Sequence, residues 1–325
     1  MLETIESREL ITLDGFDAPV QGTFHKPQDG MSDSPQGQIG RNRIGIVFLN
    51  SLFLPRTATG DSAVYWAESF AQAGYPAFRL DLPGLGDSYA PLNTALLDFI
   101  NAGGYESMAA AMIKQVVERF SLSGVIIVGH CAGSVSALYT AGASKYCKGL
   151  ILMDPYFFLP QQLKKSKLWK RLVRWAAESK FGAVLSRLYD RLKDFRLSMS
   201  GNALPANANF ALLRRWKDVT KRGLPVLLFK APGRKAPGTK PRVGEFDYLR
   251  HIMDVADKKS EVVLELIEGT DHSFANRTGR ASIRECAERW LNMHFPVIKD
   301  EYLAISSLQV MADDKIAEEN HAPCL

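Results

Sequence analysis

The sequence predicts an α/β fold: a mainly parallel sheet with helices on both faces and an inserted helical cap. Two observations carry that reading. Short apolar runs alternate with helical segments along most of the chain, the order that builds parallel strands joined by crossover helices. Between residues 156 and 222 the alternation lapses into helical patterns with no legible strand, and afterwards it resumes. Extra helices inserted into one sheet domain produce such a break.

The elements follow in order. "ELITLDG" and "APVQGTFHKP" predict an initial antiparallel pair, and the polar, Gly-rich "QDGMSDSPQGQIGRNR" a surface loop. "IGIVFLN" is nearly continuous in apolar residues, as a strand buried on both faces should be. "AVYWAESFAQAG" has helical spacing and stops at Gly74, a natural cap. "YPAFRLDL" predicts a strand, "ESMAAAMIKQVVERF" a helix, "GVIIVGH" a strand, "AGSVSALYTAGAS" a helix and "GLILMDP" a strand. After the break come the strand "LPVLLFK", the helix "EFDYLRHIMDVAD", the strand "EVVLELIEG" and the helix "GRASIRECAERWLNMHF". The expected organisation is a core of residues 1–156 and 223–298, a cap of 157–222, and a polar appendage of 299–325.

Composition narrows the function classes. The chain has 325 residues, of which 46% are hydrophobic, enough for one large core or two modest ones. No apolar run is long enough to span a bilayer. The opening "MLETIESREL" has neither the basic head nor the apolar core of a secretory signal. The cysteines at 131, 147, 286 and 324 form no C-x-x-C pair and no zinc spacing, so a reducing, cytoplasmic location and no metal or cofactor are expected. The net charge of +5 is mild but uneven: residues 161–245 carry 21 Lys or Arg against 5 Asp or Glu. Such asymmetry suits an anionic partner, and equally a set of solvated amphipathic helices. Trp169, Trp175 and Trp216 fall at helical spacing beside leucines, which reads as core rather than as base-stacking platforms, so nucleic-acid binding is not expected.

The chemistry concentrates in four motifs. "VGHCAGS" places Cys131 between a buried strand and a helix, flanked by Gly129 and Gly133, the spacing G-x-C-x-G. A side chain presented from such a turn stands above the sheet, and the glycines leave room for the close approach of strand and helix. "IEGTDHSF" places His272 in a short loop after a strand, the one histidine of six in a context suited to a base. "FRLDLPGLGDS" and "FLNSLFLPR" each follow a strand. In order and at family spacing, these motifs resemble the α/β-hydrolase superfamily from about Leu10 to Phe295, with the cysteine elbow more loosely similar to exosortase-associated hydrolases.

The resemblance implies roles. Cys131 would be the nucleophile and His272 its base. An acid would hold the imidazole in the right tautomer. The family's usual aspartate should follow "LPVLLFK", but that loop reads "APGRKAPGTKPRV", basic and without an acid before Glu245. Asp154, at the end of "LILMDP", is favoured; Glu245 and Asp247, at the start of "GEFDYLR", remain alternatives. The oxyanion hole would use the backbone N–H of Ala132 and of Leu52, with Ser51 or Phe53 as substitutes. A cysteine at the elbow points to an acyl-transfer enzyme working through a Cys131 thioester. An ester or thioester hydrolase is favoured, and an acyltransferase is the alternative. The expected substrate is a small acyl compound, with an acyl-carrier protein or coenzyme A as candidate carrier. A degenerate hydrolase fold that only binds is the second alternative. Phe157, Phe158, Leu159, Trp169 and Phe181 are candidate pocket residues, and oligomeric state is left open.

Overall fold

The computed structural model describes residues 7–28, 43–91, 95–159, 204–232 and 246–297. Most of the expected cap, the expected appendage, and Glu245, Trp169, Trp175, Phe181 and Cys324 lie outside the described residues.

Eight strands form one sheet: β1 (Arg8–Leu13), β2 (Val20–His25), β3 (Ile44–Leu49), β4 (Ala77–Leu80), β5 (Gly124–His130), β6 (Cys147–Met153), β7 (Val226–Lys230) and β8 (Val262–Leu266). Their spatial order is β1-β2-β4-β3-β5-β6-β7-β8. β1 and β2 pair antiparallel, β2 joins β4 antiparallel, and every later pairing is parallel. The antiparallel start and the parallel remainder match the fold class read from the sequence.

The described helices are α1 (Ser62–Gln72), α2 (Leu96–Asn101), α3 (Glu106–Arg119), α4 (Ala132–Ala143), α5 (Phe210–Lys221), α6 (Tyr248–Asp254) and α7 (Arg277–His294). They cover both faces of the sheet. Ile126 and Val128 of β5 point to one side, where Trp66 and Phe70 of α1 and Ile283 and Leu291 of α7 complete a core. Val125 and Ile127 point to the other, against Met112 and Val116 of α3, Val135 and Leu138 of α4, and Trp216 of α5. Side chains alternate across a strand, so a central strand covered on both faces must be apolar throughout. This is why "GVIIVGH" is continuous rather than alternating. The short helix α2 has too few turns for a period to show and was not expected.

Phe157, expected to line a pocket, is fully buried, with its ring 6.0 Å from that of Trp216. Trp216 Nε1–H donates to the Ile252 carbonyl at 2.8 Å. Both rings therefore belong to the core on the α4 face. Phe158 instead packs against Tyr156 and Tyr248.

Backbone meets backbone very closely where α4 leaves the sheet. A Cβ on Gly129 would sit 2.3 Å from the Gly133 carbonyl oxygen, and one on Gly133 2.9 Å from that of Leu49. Both obstacles are backbone, so neither can swing aside. Gly129→Ala is expected to destabilise the fold by about 3 kcal/mol, the upper end for overpacking. Gly142→Ala, later in α4, would meet mainly the movable Arg215 side chain and should cost much less. Denaturant unfolding of the two variants checks this; equal losses would contradict it.

Candidate active site

The C-terminal ends of the parallel strands gather the polar side chains, as open α/β sheets do at their ligand-binding edge. Cys131 is the single residue between β5 and α4, at φ 52° and ψ −115°. A non-glycine residue there is strained by about 1–3 kcal/mol and persists only where its surroundings fix it. Two backbone bonds do so: Cys131 N–H donates to the Met153 carbonyl at 2.9 Å, and Ser134 N–H to the Cys131 carbonyl at 3.0 Å. The Ser134 hydroxyl lies 2.7 Å from the Gly129 carbonyl oxygen, tying the turn further.

His272 lies in the loop between β8 and α7, where its imidazole comes near Cys131. Its Nδ1 is 2.5 Å from Asp154 Oδ2. An ionised carboxylate can only accept, so Nδ1 carries the proton and donates. The hydrogen bond to Asp154, then the nearby Cys131, raise the His272 pKa to about 10 against the opposing effect of burial. Asp154 follows β6, with its side chain 5% exposed and its backbone N–H donating to the Phe229 carbonyl at 2.8 Å. Burial opposes its charge. Hydrogen bonds from His272 and Lys230 outweigh that and hold its pKa below the ordinary carboxylate value.

The structure thus brings Cys131, His272 and Asp154 together. Asp247 is elsewhere: it caps α6, its carboxylate accepting from Arg250 N–H at 3.0 Å. His130 stands beside the cluster, its Nε2–H donating to the His272 carbonyl at 2.6 Å. Burial lowers its pKa to about 4, so it is a neutral prop for the His272 loop. Tyr156, half-buried, has its pKa raised, first by burial and then by the nearby Cys131.

Leu52 sits in the loop after β3 with φ 45°. Ala132 opens α4, where first-turn N–H groups have no intrahelical acceptor. The loop carrying Leu52 is braced by Asp81 of the "RLDLPGLGDS" motif. That buried carboxylate accepts from Asn50 Nδ2 at 3.0 Å, Arg56 N–H at 2.8 Å, Arg56 Nη1 at 2.5 Å and Asp87 N–H at 3.0 Å. The motif's aspartate is therefore a hub that folds two strand-end loops onto each other. The sequence reading took that motif only as a family landmark and passed over Asn50 and Arg56. A cavity lined by Asn50, Ser51, Arg56, Trp66 and His130 lies under the same loop and does not reach Cys131 or His272.

Among the described residues no group of three or more His, Cys, Asp or Glu could hold a metal ion, and no helix is long and apolar enough to cross a membrane.

The alpha/beta hydrolase fold family matches residues 46–215, more than half of the chain. The chain belongs to that family. An esterase from Pyrococcus furiosus superimposes with a TM-score of 0.57 at 12% identity, covering 88% of this chain and 91% of that one. The esterase domain of a Rhodothermus marinus protein gives 0.51 at 12% identity, covering 88% and 99%. DcsB, solved in complex with its substrate analogue, gives 0.55 at 13% identity, covering 89% and 99%. At such identities the likeness is one of fold. No curated protein matches the sequence.

These matches correct two expectations. The family matched is the hydrolase fold at large. Neither it nor these relatives support a distinct cysteine-nucleophile subgroup or a link to exosortase-associated hydrolases. The relatives that bear an activity in their names are esterases, and nothing supports the expected Cys131 thioester or acyl-transfer route. The expectation had generalised one letter of one motif into a subfamily and a mechanism. The supported reading is an α/β-hydrolase-fold enzyme.

The His272 shift has a checkable sign. A pKa raised above its unfolded value contributes stability in full below about 6.5, and that contribution is lost as pH rises through about 10. Imidazole NMR should find His272 cationic at pH 8, and Asp154→Asn should move its midpoint down towards 6.5. A neutral His272 at pH 8 in the unsubstituted protein would contradict the assignment.

Proposed function

We propose that the protein hydrolyses carboxylic esters of small molecules, with Cys131, His272 and Asp154 as its catalytic residues. The observation that supports this best is the Asp154–His272 hydrogen bond at the strand ends, with Cys131 beside the imidazole. The esterase names of structural relatives agree with it. Asp154 holds the ring in one tautomer and offsets its positive charge. Cys131, lifted by the strained turn, faces the ester carbonyl. The N–H groups of Ala132 and Leu52 receive the charge that builds on the carbonyl oxygen. A His272 that keeps its proton to about 10 is a ready donor to the alcohol oxygen as it departs. Water adds to the carbonyl carbon as the bond to the alcohol oxygen breaks, and the proton that water gives up replaces the one His272 has donated, so ester and water become acid and alcohol. Of the expected cap 157–222, Phe157 and α5 belong to the core on the α4 face, so the part between them would cover this edge; 299–325 would form an appendage. The basic excess in 161–245 favours an anionic substrate over a neutral one.

A panel of p-nitrophenyl esters tests the reading. His272→Ala and Cys131→Ala should each lower kcat/KM by about 100-fold or more, the usual worth of a positioned proton-transfer group. Asp247→Asn, which alters only a helix cap, should leave hydrolysis within about twofold. Hydrolysis that survives both alanine variants would place the activity elsewhere.

A further inference from the structure

The end of β7 carries a residue of the opposite charge from the one the hydrolase resemblance leads one to expect near it. Lys230 is the last residue of β7, and its Nζ donates to Asp154 Oδ1. The other oxygen, Oδ2, faces His272. Each carboxylate oxygen thus has its own cationic or cationisable partner, on adjacent strand ends.

We propose that Lys230 is a positioning residue for the ester-hydrolysing site: it fixes which oxygen of Asp154 faces His272 and keeps that buried carboxylate ionised. This rests on the hydrolase reading of Cys131, His272 and Asp154.

The physical argument has three steps. A carboxylate held at one oxygen can still swing about its side-chain torsion, whereas one held at both has a single orientation. The Asp154 side chain is 5% exposed, and a buried carboxylate without sufficient partners takes up a proton instead of staying charged. His272 alone cannot guarantee the charge, because its own proton must move during turnover; Lys230 is a partner outside the proton path. The Lys230 side chain is 41% exposed, so the ammonium keeps part of its hydration while it pairs.

Backbone bonds register the three groups. Asp154 N–H donates to the Phe229 carbonyl at 2.8 Å, which sets β6's end against the residue before Lys230. Ile267 N–H donates to the Lys230 carbonyl at 3.0 Å, which sets the start of the His272 loop against Lys230 itself. The titratable and charged groups facing Asp154 are Lys230 from β7 and His272 from the loop after β8, with His130 and Cys131 beyond His272. Of these, Lys230 is the partner whose proton the proposed reaction does not use.

The test compares Lys230→Met with Lys230→Arg. Met keeps the aliphatic stem and removes the charge; Arg keeps the charge. Lys230→Met should lower kcat by about 10-fold or more with KM within about twofold. It should also raise the ionisation midpoint of the Asp154 carboxyl, read by carbon-13 NMR on the substrate-free protein, by about one unit or more. The acid limb of the kcat/KM profile should move the same way. Lys230→Arg should restore each quantity most of the way. An unchanged midpoint and kcat in Lys230→Met overturn the inference, as does an equal loss in both variants, which would mark a packing role. The carboxyl titration needs no substrate. If no ester is turned over but the midpoint moves and Arg restores it, the hydrolase reading fails and the Lys230–Asp154 coupling stands. If esters are hydrolysed and nothing moves, only the coupling fails.

Discussion

The first turn of α4 lies so close to β3 and β5 that one methyl group on Gly133 would press on the Leu49 carbonyl oxygen, 2.9 Å away. Much of the site depends on that approach. It forces the chain to turn within a single residue between strand and helix, and that residue is Cys131. It also brings the open N–H groups of the helix's first turn near the end of β3, where Leu52 begins the next loop. A helix set further from the sheet would allow a relaxed, longer connection. The side chain at 131 would then have no fixed direction and His272 no fixed partner.

The remainder of the site is built from strand ends that keep register with one another. Backbone strain marks the same edge. Of the seven described non-glycine residues with positive φ, Leu52, Cys131, Asp154 and Phe274 each stand just beyond a strand or in the His272 loop. Strain of this kind needs surroundings that over-determine it. Here these are the parallel ladder below, the Asp81 hub that ties the β3 and β4 loops, and the buried charges on Asp154. The neutral His130 adds a prop without adding a third cation beside Lys230 and His272.

Much of this was legible in the sequence because it is local. Continuous apolar runs give doubly covered strands, and G-x-C-x-G gives a close-packed turn. A histidine in a short loop after the last strand lands at the strand-end edge because parallel strands all end there. Asp154 could be favoured over Glu245 and Asp247 but not decided on, because the choice depends on which carboxylate meets the imidazole in space. The pairing of Lys230 with Asp154, 76 residues apart, has no periodicity and no motif. The role of Asp81 was hidden for the same reason, since its partners Asn50 and Arg56 come from another loop. The exosortase-associated likeness and the thioester route failed differently. A residue type states what an atom can do, whereas subfamily and acceptor are set by surfaces that one motif does not describe.

The left-handed turn at Cys131 has a consequence for how this chain tolerates change. Glycine is the residue that best accepts φ near +52°, so drift or selection for robustness alone would favour glycine at position 131. A chain carrying it should be more heat-resistant than this one, yet would present no side chain at the strand-end edge. Under the role proposed for Cys131, folding and function would pull in opposite directions at this turn, as expected where activity depends on a strained residue. Stabilising substitutions for this protein are best sought well away from that turn, in the helices and on the antiparallel edge.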